Sequence, residues 1–254
     1  MSYEKILTID FSLTGSAFIW GNITSDKLGY SYFSDKKKDY ENNSHCQKLL
    51  KEYTSDDKLD YIISYYINLL DKEGINYIFL ESPSYNSVNT NDAFKEGYGL
   101  IKYYARQNGI KYQLIPPITS KLYFTGNARA EKQDMINQAV NQFGKQVEFE
   151  TVSKKHQEDI ADALSLYSLG VDYFNCTDLG CGLYFQTGDI KHYELLPPHR
   201  KMVVAKLYNR QDLYKQADKE RKTLRFWKYW HFLNTVYNGD KWGGINGNFT
   251  RNIK

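Results

Sequence analysis

Four acidic side chains stand in this sequence where oxygen-based metal chemistry could be assembled from them: Asp10, Glu81, Asp159 and Asp162. Asp10 follows the apolar run Ile6-Leu7-Thr8-Ile9 and Glu81 follows Tyr77-Ile78-Phe79-Leu80, so each marks the exit of a predicted inner strand. Asp159 and Asp162 lie three apart in a segment of helical period, a spacing that places two side chains on one helix face with Cβ atoms about 5–6 Å apart. Crowded carboxylates repel and raise one another's pKa, so such a cluster calls for a compensating cation, and oxygen-only ligation suits Mg²⁺ or Mn²⁺. Two such ions about 3.5–4 Å apart can activate a water and stabilise the leaving oxygen of a phosphodiester. Metal-dependent phosphodiester hydrolysis is therefore the predicted chemistry. Taken singly, each acid also fits a plainer role: Asp10 as a turn cap, Glu81 as a solvated strand end, Asp159 and Asp162 as the wet face of a helix. Their joint placement at two strand exits and on one helix favours the metal reading. Glu158, four residues before Asp162, is the second choice for this face. His156, three before Asp159, could orient a water or a phosphate, or serve as a surface or capping residue.

The elements that must carry these side chains follow from hydrophobic period. Lys5–Asp10 and Gly15–Trp20 read as two strands joined by the turn Phe11-Ser12-Leu13-Thr14, and Leu28–Phe33 as a third, followed by a charged, mobile loop over Asp35–Asn43. Asp57–Lys72 places Leu59, Ile62, Ile63, Tyr66, Ile67 and Leu70 on one helical stripe that ends near Gly74. Tyr77–Leu80 is a short buried strand, closed by Pro83. A helix over Asp92–Gln107, stopped by Gly109, leads to a strand at Ile110–Ile115; Ala130–Phe143 and Gln157–Tyr173 are again helical. The order β-β-β-α-β-α-β-α-α predicts an α/β fold, a mixed five-stranded sheet flanked by helices in an RNase H-like layout.

The chain has 254 residues, enough for one main domain and an extension. Apolar residues make up 41% and charged residues 25%, values that argue against a disordered chain. No apolar run approaches the roughly 18–20 residues that span a bilayer, and the start lacks a secretory pattern, so a cytoplasmic protein with no membrane partner is expected. Three cysteines, Cys46, Cys176 and Cys181, fit a reducing compartment; a zinc site from Cys176, Cys181, His192 and His199 lacks a close Cys-x-x-Cys pair. The net charge of +3 conceals a division: residues 191–254 hold 14 Lys/Arg against 5 Asp/Glu, whereas residues 1–190 hold 19 against 25. A basic tail suggests nucleic acid as partner, though a solvated helical surface has the same composition. Composition changes near residue 175, which predicts a nuclease domain over 1–175 and a basic, aromatic-rich extension over 176–254. In the latter, Gln211–Tyr237 looks helical and interleaves cations with Phe226, Trp227, Tyr229 and Trp230.

Four stretches together resemble the RuvC family of Holliday-junction resolvases, particularly its phage-type members: Ile9-Asp10-Phe11-Ser12-Leu13-Thr14-Gly15, Phe79-Leu80-Glu81-Ser82-Pro83, Thr125-Gly126-Asn127-Ala128-Arg129-Ala130-Glu131-Lys132 and Glu158-Asp159-Ile160-Ala161-Asp162-Ala163-Leu164. The resemblance covers about residues 4–170. It implies a homodimeric, metal-dependent endonuclease for four-way or other branched DNA, with two Mg²⁺ ions per site, replaceable by Mn²⁺, on Asp10, Glu81, Asp159 and Asp162. It also implies roles for Lys121 and Lys132 near the scissile phosphate, with Lys132 the stronger match and Arg129 a DNA contact beside it. The family's junction-inserting aromatic falls near Tyr85, shifted in register by Ser84. If phage-encoded, the chain would work in the host cytoplasm. The bacterial members lack the extension.

Other readings share parts of this pattern. A branched-DNA-binding protein that keeps the fold without cutting is one, and a transposase or another RNase H-fold nuclease is another. An actin-like sugar kinase shares the first hairpin, but no second glycine-rich phosphate loop is present. A proofreading-type exonuclease would show Asp-x-Glu where Asp10-Phe11-Ser12 stands.

Overall fold

The computed structural model describes residues 5–25, 27–83, 92–176 and 191–237 and, in the last stretch, the side chains of 192–228. The expected mixed sheet is present with one strand more than predicted, in the order β4-β3-β2-β1-β5-β6. β1 (Lys5–Asp10), β2 (Ala17–Asn22) and β3 (Leu28–Ser34) form the antiparallel meander, and β5 (Tyr77–Glu81) and β6 (Lys111–Ile115) run parallel to β1. The sixth strand, β4 (Cys46–Lys48), pairs in parallel with the end of β3. Three residues are too few to show a two-residue period, which is why the sequence does not reveal it.

Side chains alternate across a strand, and here the alternation sorts two cores. Leu7, Ile9, Phe18, Ile78 and Leu80 face α2 (Ser55–Glu73) and α3 (Asp92–Gln107). Ile6, Ile19, Tyr30, Tyr32 and Phe79 face α4 (Pro117–Thr125), α5 (Lys132–Phe143) and α6 (Lys154–Asn175). Thr8 belongs to this second face, and its Oγ1 donates to the Ala163 carbonyl at 2.8 Å, which ties β1 to α6. By the same parity, Asp10 and Glu81 point toward α6.

Where a mobile loop is expected over Asp35–Asn43, the chain forms a short helix, α1 (Lys37–Asn42), with Asp39 fully buried. The described part of the C-terminal segment packs on the α6 side: Tyr193 and Leu196, from α7 (Lys191–Leu195) and just beyond it, and Val203, Val204 and Ala205, from α8 (Pro198–Leu207), join the core cluster. Asp172 of α6 anchors this segment, accepting from His192 Nε2 at 3.0 Å, from Arg200 at 3.4 Å and from the Tyr123 hydroxyl. The last helix, α9 (Gln211–Tyr237), lies against α8 in its first turns, with Ala217 buried, and is exposed from Lys222 to Lys228. Among the described residues no helix is long and apolar enough to cross a membrane.

Candidate active site

The register brings the strand-borne acids side by side. In the parallel β1–β5 pair, Ile9 stands opposite Leu80, so Asp10 and Glu81 are the next residues on neighbouring strands. Glu81 is fixed from behind, where the Tyr98 hydroxyl of α3 donates to its backbone carbonyl at 2.5 Å and the Tyr98 ring packs edge-on against Phe11. On α6, Asp159 and Asp162 continue, toward the helix N-terminus, the stripe on which Ala163 and Leu166 are buried. The β1–β2 turn closes over Asp159 at Gly15: a Cβ there would stand 2.3 Å from Asp159 Oδ2, so only glycine leaves room for the carboxylate.

The four carboxylates feel one another. Burial holds Asp10 well above the ordinary carboxylate range, and Glu81, Asp162 and Asp159 push it the same way. Burial, with Asp162 adding to it, pushes Glu81 up to about 8, against the opposing pull of the Lys121 ammonium. Asp162 is pushed up to about 6, again by burial first, with Lys121 and Lys132 opposing and Asp159 and Glu158 assisting. Burial of three carboxylates in one place is costly for a fold unless something positive compensates. Lys121 of α4 supplies part of that charge. Among the described residues no three acidic, imidazole or thiol side chains are drawn together tightly enough to enclose an ion. The donor set nonetheless fits a hard divalent cation by its chemistry, being oxygen only, only partly exposed, and able to ionise where a cation displaces the protons.

The basic residues take two positions. Gly126, in the left-handed conformation at φ 78°, ends α4 just after Lys121 and turns the chain into the loop that leads to Lys132. Lys132 begins α5, is mostly exposed, and pairs with Glu158 at 2.5 Å; its ammonium is held charged by that carboxylate and by Asp159 and Asp162. Glu158 thus belongs to the rim through Lys132. Arg129 is exposed in the same loop, with its backbone N–H donating to Asn127 Oδ1 at 3.0 Å. Tyr85 lies outside the described residues. So does Cys181 of the considered zinc set; of the rest of that set, Cys176 is buried in the core and His192 is engaged with Asp172.

Two further residues lie close to the acids, His156, which the sequence offers as a candidate, and Asp39, which it does not. His156 is fully buried, not a surface residue, and its Nδ1 lies 2.9 Å from Asp159 Oδ2. Asp39 is fully buried behind it, with Oδ2 at 3.6 Å from His156 Nε2. The i,i+3 spacing of His156 and Asp159 marks the first in the sequence; Asp39 has no comparable local mark.

No family model matches the chain, and no curated protein matches it. Among solved structures it is similar to RuvC of Thermus thermophilus, at 12% identity over 65% of this chain and 95% of that one, with a TM-score of 0.47. It is also similar to T. thermophilus RuvC in complex with a Holliday junction substrate, at 11% identity over 65% and 93%, with a TM-score of 0.46. A third likeness is to the yeast mitochondrial Holliday junction resolvase Ydc2, at 15% identity over 65% and 77%, with a TM-score of 0.46. The chemistry proposed for this chain rests on its own side chains.

Proposed function

We propose that this chain is a divalent-metal-dependent endonuclease that cuts branched DNA, four-way junctions foremost, and that it works as a homodimer. The observation that carries the reading is the convergence of Asp10, Glu81 and Asp162, each only partly exposed, on the α6 side of the sheet, close enough that neighbouring carboxylates help to hold their values up, with Asp159 beside them. Asp10, Glu81, Asp159 and Asp162 would hold Mg²⁺ or Mn²⁺. A bound cation of this kind supplies an activated water and charge stabilisation for an in-line displacement at phosphorus. Lys121 partly neutralises Glu81 and Asp162 and lowers the repulsion that a phosphate would otherwise meet. Lys132, at the rim with its charge reinforced, is placed to offset negative charge that develops on the substrate. Arg129, exposed in the adjoining loop, serves as a backbone phosphate contact. The four ordered sequence stretches that resemble the resolvase family supply the preference for junctions and the two-fold assembly, which would set two identical sites on symmetry-related strands. In this reading residues 1–175 are the nuclease unit and the basic segment after it is a DNA-gripping extension.

A second reading, a junction-binding protein that does not cut, draws support from the absence of a closed three-ligand group among the described residues. One assay separates the two. The wild-type chain with Mg²⁺ should incise a synthetic four-way junction, and Asp10→Asn or Glu81→Gln should abolish incision while junction affinity stays equal or improves, because each removes an acid whose ionised form repels phosphate. Binding by the wild type without any incision would favour the second reading.

A further inference from the structure

We propose that His156 and Asp39 are positioning residues that hold Asp159 in the orientation a divalent cation needs; the inference rests on the metal-dependent reading above. Asp159 Oδ2 is engaged by His156 Nδ1 at 2.9 Å and walled by Gly15, which leaves Oδ1 as the atom available to a cation. A carboxylate on a helix flank normally samples several rotamers; one oxygen bonded to a buried imidazole fixes both the rotamer and the twist of the carboxylate plane.

The imidazole is itself held. His156 has no exposure, its ring lies against Tyr32 with centroids 5.7 Å apart, and its Nε2 faces the Asp39 carboxylate at 3.6 Å. That separation is too long for a hydrogen bond, and Nε2 has no other hydrogen-bond partner among the described residues, so the Asp39 contribution is electrostatic. Asp39 cannot swing away. Its Oδ2 accepts from Ser34 Oγ at 2.7 Å and from Ser153 Oγ at 2.9 Å, and its Oδ1 accepts from the Ser153 N–H at 2.7 Å. These bonds join the end of β3, α1 and the N-cap of α6 in one buried knot, three residues ahead of His156. A buried carboxylate facing an imidazole that in turn grips a candidate ligand is the arrangement by which proteins orient and tune metal-binding groups.

The test is direct binding of Mn²⁺ to the full chain without DNA, by calorimetry or electron paramagnetic resonance, alongside thermal unfolding. His156→Leu should weaken Mn²⁺ about 10–100-fold, the usual effect of losing such a partner, while metal-free junction binding is retained. His156→Asn, whose amide can offer an N–H close to the place of Nδ1, should recover part of the affinity. In an Asp159→Asn background, His156→Asn should cost nothing further, because the two act as one unit. A folded His156→Leu with wild-type Mn²⁺ affinity would overturn the proposal. If His156→Leu does not fold, equal losses from His156→Asn in the two backgrounds would overturn it. A wild-type chain that binds no Mn²⁺ would instead overturn the metal reading on which it rests.

Discussion

Gly15 fits so closely against Asp159 that the smallest side chain there should disturb the site. Gly15→Ala would place a methyl carbon 2.3 Å from Asp159 Oδ2 and 3.1 Å from both Asp159 Cγ and His156 Nδ1. An unstrained carbon–oxygen contact lies at about 3.3 Å, so the carboxylate must retreat by about 1 Å. It can do so only by loosening its 2.9 Å contact with His156. Gly15 is not among the described glycines with a left-handed backbone, so alanine meets no conformational penalty there and the clash is confined to one side chain. A displacement of about 1 Å in a reacting group can cost about 100-fold in rate. Single-turnover cleavage of a labelled four-way junction at saturating Mg²⁺ should therefore slow by about 10–100-fold, with Mn²⁺ affinity falling in step. The melting temperature should move little, because the overpacking is relieved by a side chain at the surface of the core. Gly99→Ala is the control: a methyl there meets nothing within 4 Å on α3, and both cutting and stability should match or slightly exceed the wild type. Wild-type turnover and Mn²⁺ affinity in Gly15→Ala would refute the placement of Asp159 in the site.

Three further outcomes are expected. First, an acid whose value is raised in the fold contributes stability below its ordinary range and loses it as pH climbs through the raised value. With Glu81 pushed up by burial to about 8 and Asp10 well above its ordinary range, the melting temperature in a chelator should fall between about pH 6.5 and about 8, the effect of Asp162, pushed up to about 6, being complete below that window. Mg²⁺ should raise it more at the upper end than at the lower. His199, held down at about 4 by burial and neighbouring cations, acts in the opposite sense only below about 6.5, so a flat profile above that value would contradict the cluster. Second, Lys132→Ala should slow cutting yet leave stability within about 1 kcal/mol, since its pair with Glu158 is exposed on the lysine side; unchanged turnover would remove Lys132 from the chemistry. Third, deleting residues 222–254 spares the buried anchors Leu196, Val203, Val204 and Ala217, and should weaken junction binding and flatten its salt dependence. An unaltered salt slope, measured by titration at several ionic strengths, would leave that segment without a role on phosphates.

What the sequence determined is what local geometry can encode. The two-residue period of a strand and the near-four-residue period of a helix are imposed by the backbone itself. The placement of Asp10 and Glu81 at the exits of two apolar strands, and the spacing that sets Asp159 and Asp162 on one helix flank, are therefore written in the order of the residues, whereas the register of β1 against β5 is what turns the two strand-borne acids to one face. The five main strands, and the helices at 55–73, 92–107, 132–143 and 154–175, follow from the same periods. Tertiary structure alone decided which buried polar groups stand behind those acids. Asp39 sits in the stretch 35–43, where six of nine residues are charged, and that composition reads as solvated loop. Its burial depends on Ser153, 114 positions away, and on Ser34, which together offer the hydrogen bonds that a withdrawn carboxylate requires. The change of composition near residue 175 likewise does not mark a gap in packing, since Tyr193 and Val203 share the core of α6. Neither a distant hydrogen-bond donor nor a shared core leaves a periodic trace along the chain. Both arise only when the fold brings remote segments into contact.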